Sequence, residues 1–141
     1  MYLLDTNVIA ELRKAGSNRA DSNVLAWAKD KPTSSLFISA VTILEIEMGI
    51  LQLERNDAKQ AAIYRTWLNS HVLKAFSGRV LPFDTNVALK CAQLHVPYPK
   101  SQRDAIIAAT AMVHGLTLVS RNEKDFKHID IELINPWVIA A

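Results

Sequence analysis

Short apolar runs alternate with longer amphipathic stretches along this chain. Tyr2-Leu3-Leu4 is apolar and stops at Asp5, which reads as a buried strand. Thr6 and Asn7 cap a helix through about Lys14, and Gly16-Ser17-Asn18 is a turn. Asp21-Ser22 opens a helix to about Lys31 that Pro32-Thr33-Ser34-Ser35 closes, and Leu36-Phe37-Ile38 is a second strand. Ser39 to Arg55 is predicted helical, because Val41, Leu44, Met48 and Leu51 recur at steps of three or four. Asp57 to Ser77 is predicted helical in the same way, with Ala61, Tyr64, Trp67, Leu68 and Val72 on one stripe. Arg79 to Phe83 is a third strand, followed by a helix from Asp84 or Thr85 to about His95 and a rigid loop, Val96-Pro97-Tyr98-Pro99. Arg103 to His114 is helical and Gly115 stops it; Leu116 to Val119 and Ile131 to Ile134 are the fourth and fifth strands.

Short apolar strands separated by helices predict an α/β fold: a parallel sheet of four or five strands covered by helices on both faces. The chain has 141 residues, no repeat and no Pro/Gly/Ser linker, so a single domain over 1–141 is expected. Half of the residues are hydrophobic and 21% are charged, which excludes a disordered chain. Apolar runs such as Ala105 to Ala109 are far too short to span a membrane, and Asp5 interrupts the N-terminal apolar run almost at once. A soluble, cytoplasmic protein with no membrane partner is expected. The single cysteine, Cys91, excludes an intramolecular disulfide and a multi-cysteine zinc site.

In parallel sheets of this kind ligands bind beyond the carboxyl ends of the strands. Asp5 follows the first strand, and Ser120, Arg121 and Asn122 follow the fourth. Glu45 lies in the second turn of the helix after strand two, and Asp104 in the first turn of the helix after the Pro-rich loop. Each acid has an ordinary structural explanation: a cap at Asp5, a solvated helix glutamate at Glu45, a dipole partner at Asp104. Together they are several carboxylates gathered in a small space, which repel one another unless protons or a cation intervene. Oxygen ligands favour a hard cation, Mg²⁺ or Mn²⁺, and His71, His95, His114 and His128 show no ligand spacing.

Four segments in order, Leu3-Leu4-Asp5-Thr6-Asn7, Ser39 to Glu45, Arg103 to Ala111 and Leu118 to Phe126, resemble PIN-domain ribonucleases. The nearest likeness is to the VapC-like toxins of bacterial type II toxin–antitoxin systems, and it runs the length of the chain to Ile134-Asn135-Pro136-Trp137. The resemblance implies a three-layer PIN-like fold and a metal-dependent endoribonuclease whose first three acids are Asp5, Glu45 and Asp104, the metal ligands. The fourth acidic position falls on Asn122, and Asp125, one turn on, is the alternative. Mg²⁺ (or Mn²⁺) as cofactor, RNA as substrate, a cognate antitoxin and a homodimer are likewise implied. Thr6 and Ser120 either orient a water or phosphate or cap helices.

Net charge is +2, from 16 basic and 14 acidic side chains, too mild to identify a nucleic-acid binder by itself. With Asp5, Glu45, Asp104 and Asp125 set aside, 16 basic groups face ten acidic ones, a surplus of six. Arg103, Arg121 and Lys124, with Lys127 further off, are placed to grip RNA phosphates. Tyr98 and Trp137 suit core or dimer packing better than base stacking, and Trp27 and Trp67 read as core. Three competing functions remain. A receiver-type phosphorelay domain needs adjacent acids after strand one, where this chain has only Asp5 followed by Thr6 and Asn7. A structure-specific nuclease on the same fold carries insertions that this chain lacks, and a catalytically silent binding module is suggested only by Asn122.

Overall fold

The computed structural model describes residues 1–138; the last three residues of the expected 1–141 domain lie outside the described residues. Five strands form one parallel sheet: β1 (Tyr2–Leu4), β2 (Leu36–Ser39), β3 (Val80–Leu81), β4 (Thr117–Val119) and β5 (Leu133–Ile134), in the order β3-β2-β1-β4-β5. The predicted third and fifth strands are shorter than expected, because only two residues of each meet a neighbour. From β1 the chain builds outward to β2 and β3, then returns to add β4 on the other side. The switch point of the sheet therefore lies at β1 and β4, where a crevice opens beyond the strand ends.

The helices are α1 (Thr6–Leu12), α2 (Ser22–Lys29), α3 (Ala40–Glu54), α4 (Ala58–Trp67), α5 (Leu73–Ala75), α6 (Thr85–Leu94), α7 (Gln102–His114) and α8 (Glu123–Phe126). Between α4 and α5, Leu68–Val72 forms a wider π-helical turn in which the Leu73 N–H returns to the Leu68 carbonyl. The predicted helix over Asp57 to Ser77 is thus one helical run with a widened middle. That turn keeps Leu68 and Val72 buried, at 2% and 4% exposure.

Alternation along the strands feeds two cores. Leu4 and Val119 join Val8, Ile9, Ile38, Ile50, Leu68 and Val72 on one face of the sheet. Leu3 and Leu118 join Val41, Ile107, Ala108, Ala111 and Phe126 on the other. Neighbouring residues of one strand point to opposite faces, so Leu3 and Leu4 can both be fully buried only in a sheet covered on both sides. Trp27 and Trp67 pack against the first core as expected. The stripe expected to bury α3 does so only in part: Val41 is buried and Met48 partly buried, but Leu44 and Leu51 are half exposed, and Thr42 and Ile50 are buried instead, with Ile43 and Ile46 packed beside them. Because α3 carries apolar residues on more than one side, periodicity alone cannot choose which of them is buried. Tyr98, expected in packing, is 77% exposed. No helix among the described residues is long and apolar enough to cross a membrane.

Candidate active site

The register of the central strands builds the site. Leu4 pairs with Val119, so Asp5 and Ser120 leave the sheet side by side, and the Asp5 N–H donates to the Val119 carbonyl at 2.9 Å. Asp5 is almost fully buried and Ser120 completely so. The Ser120 hydroxyl donates to Asp5 Oδ2 at 2.7 Å, and the Thr6 N–H donates to Asp5 Oδ1 at 2.7 Å. Asp5 is thus the N-cap of α1, as one of its two expected roles required. Ser120 Oγ in turn accepts from the Asn122 N–H at 3.0 Å and from Asn7 Nδ2 at 3.4 Å.

Glu45 reaches the same place from α3. The Thr6 hydroxyl lies 3.1 Å from Glu45 Oε1 and 3.0 Å from the Thr42 hydroxyl. A hydroxyl has one proton, and an ionised carboxylate can only accept, so Thr6 donates to Glu45 and Thr42 donates to Thr6. Thr42 is fully buried and spaced three residues before Glu45, on the same side of α3. Asp104 comes from the opposite layer, in the first turn of α7, whose residues Ala105 and Ile107–Ala111 are buried. The small side chains expected to seat this helix in the interior do so.

The three carboxylates share one electrostatic environment. Burial pushes the Asp5 carboxyl above its ordinary pKa; the bonds from Ser120 and Thr6 pull it back, and the charge of Asp125 raises it again. Glu45 is raised chiefly by burial, with the Thr6 hydroxyl lowering it, Asp5 and Asp104 adding to the rise and Arg103 opposing it. Asp104 is raised by burial and then by the charges of Asp125 and Asp5. Among the described residues no ion pair neutralises Asp5, Glu45, Asp104 or Asp125. Also among these residues, no three His, Cys, Asp or Glu side chains converge tightly enough to hold a metal ion as they stand. Protein hydroxyls and backbone N–H groups hold the buried oxygens instead.

The two candidates for the fourth acidic position differ in what they contribute. Asn122 is exposed and offers its backbone N–H to Ser120, whereas the charge of Asp125 acts on both Asp5 and Asp104. Of the expected phosphate-binding residues, Arg103 reaches Met48 Sδ at 3.6 Å and acts on Glu45. Arg121 lies over the Trp137 ring, and Lys124 is exposed on α8. Sequence reasoning missed Asn7 and Thr42. Asn7 stood in the first motif, and Thr42 carried a readable signal as a hydroxyl one turn before Glu45 on a helix otherwise apolar there. The oxygen-only donor set, buried at Asp5, partly buried at Glu45 and Asp104 and without an ion-pair partner among the described residues, suits a hard divalent cation.

A family model described as PIN domain matches residues 2–132. The chain is 37% identical to "VapC ribonuclease Y4jK" of Sinorhizobium fredii, over 97% of this chain and 98% of the relative. It is 36% identical to "Toxin FitB" of Neisseria gonorrhoeae, over 97% and 99% of the two chains. Among solved structures, a chain of FitAB bound to an IR36 DNA fragment superposes with a TM-score of 0.88 at 31% identity, covering 100% of this chain and 99% of that one.

Proposed function

Because the chain belongs to the PIN-domain family, we propose that it is a ribonuclease toxin of the VapC kind, a divalent-cation-dependent endoribonuclease restrained by an antitoxin. The observation that carries this reading is the pooling of Asp5, Glu45 and Asp104, whose proton affinity is raised by burial and then by the acids around them, the charge of Asp125 acting on Asp5 and Asp104, with no ion-pair partner for any of the four among the described residues.

Asp5, Glu45 and Asp104 would hold Mg²⁺, or Mn²⁺ in its place, with Asp125 rather than Asn122 as the fourth acid. When bound, such an ion supplies neutralising charge at the scissile phosphoryl group and acidifies the attacking water. Ser120 and Thr6 fix the carboxylates of Asp5 and Glu45, so that their oxygens are oriented before substrate arrives. A carboxylate oxygen of Glu45 or Asp104 that the ion leaves free would take the proton of the attacking water. Arg103, Arg121 and Lys124 bind phosphates of the RNA strand around the acids.

A cluster of carboxylates short of cations is also a natural seat for a basic or polar segment of a small antitoxin. The toxin relative and the two-component FitAB assembly support such a partner. Half-exposed Leu44, Leu51 and Phe83, with the more exposed Leu89, leave apolar surface that suits a homodimer. A strict monomer in light scattering at micromolar concentration would argue against that assembly.

The test is incubation of the purified chain with a mixed RNA pool in Mg²⁺ and in EDTA. Endonucleolytic products in Mg²⁺ and intact RNA in EDTA are expected. Cleavage that survives EDTA would remove the cation from the mechanism, and folded protein that leaves the RNA intact in Mg²⁺ would favour a binding module.

A further inference from the structure

One cation at the edge of the site is held without an acid. Arg121 follows β4 by two residues, is exposed, and forms no ion pair among the described residues. Its guanidinium carbon lies 5.2 Å from the centroid of the Trp137 ring. The Arg121 N–H donates to Asn7 Oδ1 at 3.3 Å, and the Asn7 amide reaches Ser120 Oγ at 3.4 Å and Asp5 Oδ2 at 3.5 Å. Arg121 is therefore tied at its main chain to the acid-bearing strand ends and at its head to an indole.

The residue that carries the indole is held at its main chain. The Trp137 backbone N–H donates to Asn135 Oδ1 at 3.0 Å, and the Trp137 backbone carbonyl accepts from Asn23 Nδ2 at 2.9 Å. The ring packs against the first core, and Asn135 Nδ2 donates to Glu123 Oε2 at 3.1 Å. A guanidinium paired with a carboxylate gives up N–H donors to it. One resting on an aromatic face keeps all five and loses rotamer freedom all the same. The arrangement is that of a phosphate-binding group held ready on the residue next to Ser120, at the strand end that meets Asp5.

We infer that Trp137 is a positioning residue: it holds Arg121 where a phosphate of the bound RNA strand lies next to the carboxylate cluster. This rests on the ribonuclease reading, and the experiment separates the two. Anisotropy of a fluorescein-labelled single-stranded RNA of mixed sequence is measured against salt in an Asp104→Asn background, which keeps the RNA intact. Four proteins complete a cycle: the background, Trp137→Leu, Arg121→Gln, and both changes together. Trp137→Leu should weaken binding about two- to fivefold while Arg121 is present and leave it unchanged in the Arg121→Gln background. Arg121→Gln should lower the slope of log affinity against log salt by about 0.7, and Trp137→Leu should move the slope the same way. Trp137→Phe keeps an aromatic face and should restore most of the affinity; Trp137→Met, apolar but not aromatic, takes the place of the leucine variant if circular dichroism finds that protein unfolded. Equal losses in both Arg121 backgrounds, or a Trp137→Leu protein that binds with unchanged affinity and salt slope, would overturn the positioning role. RNA cleavage by the wild-type chain together with an additive cycle defeats only this inference. Absence of both cleavage by the wild type and binding by the background protein defeats the ribonuclease reading, and this inference falls with it.

Discussion

Replacing Ser120 with Ala removes the bond its hydroxyl gives Asp5, along with those its oxygen accepts from the Asn122 N–H and Asn7 Nδ2, and only the first is made to the titrating carboxylate. The Ser120 hydroxyl is fully buried and donates to Asp5 Oδ2 at 2.7 Å, and Asp5 is only 4% exposed, so water cannot take the place of the lost donor. A hydrogen bond to a charged group contributes about 1.5–3 kcal/mol net, and a neutral one about 0.5–1.5 kcal/mol. Burial raises the folded-state pKa of Asp5, so the native protein holds this proton more tightly than the unfolded chain does. The stability associated with that proton is present at low pH and lost as pH rises through the raised pKa. The Ser120 bond opposes this loss, and its removal raises the Asp5 pKa further. Ser120→Ala should therefore lower the unfolding free energy by about 1.5–3 kcal/mol at neutral pH and by about 0.5–1.5 kcal/mol once Asp5 is protonated. Urea unfolding of both proteins in EDTA, from neutral pH down through the carboxylate range, measures the gap. A gap that stays constant with pH would refute the charge-assisted bond from Ser120 to Asp5.

Three further outcomes are expected. Asp104→Asn keeps size and capping ability while removing a charge; RNA cleavage should fall by orders of magnitude with circular dichroism unchanged, and near wild-type cleavage by the folded variant would remove Asp104 from the mechanism. Millimolar Mg²⁺ should raise the melting temperature at neutral pH, by the equivalent of about 2.7 kcal/mol at a concentration about 100 times Kd, and the gain should vanish in Asp5→Asn; a melting curve indifferent to Mg²⁺ would count against the carboxylates as its seat. Gly115 ends α7 at φ +64° with nothing within 4 Å of where a Cβ would stand, so Gly115→Ala should cost about 1–2 kcal/mol from backbone strain alone, read as a lower urea midpoint with an unchanged slope.

Much of the architecture was legible because strand and helix differ in period. The runs at Leu3, Leu36, Leu118 and Leu133 were short, apolar and bounded, and each became a strand of the sheet. Asp5, Glu45 and Asp104 were legible because each stood at a position the fold aims at one edge. What was not legible depended on choices that local pattern leaves open. The buried side of α3 was decided by the sheet beneath it, since apolar residues lie on more than one side of the helix. The widened turn at Leu68–Val72 has no sequence mark of its own. The path from Thr42 through Thr6 to Glu45 joins residues 36 and 39 positions apart in the chain, and only the packing of α1 beside α3 brings them together.

The acids are delivered from two separate cores. Glu45 rides on a helix that packs Ile43, Ile46 and Ile50 into the Leu4–Val119 core and only Val41 into the other, and Asp104 on a helix seated in the Leu3–Leu118 core. Loosening either layer moves one carboxylate away from the others without any change at the site itself. On the toxin reading proposed above, harmlessness is then easy to reach by mutation. Truncating Ile50 on one side of the sheet or Ile107 on the other would suffice. Survivors selected against such a toxin should carry many of their lesions in the hydrophobic layers, far from any residue that touches RNA.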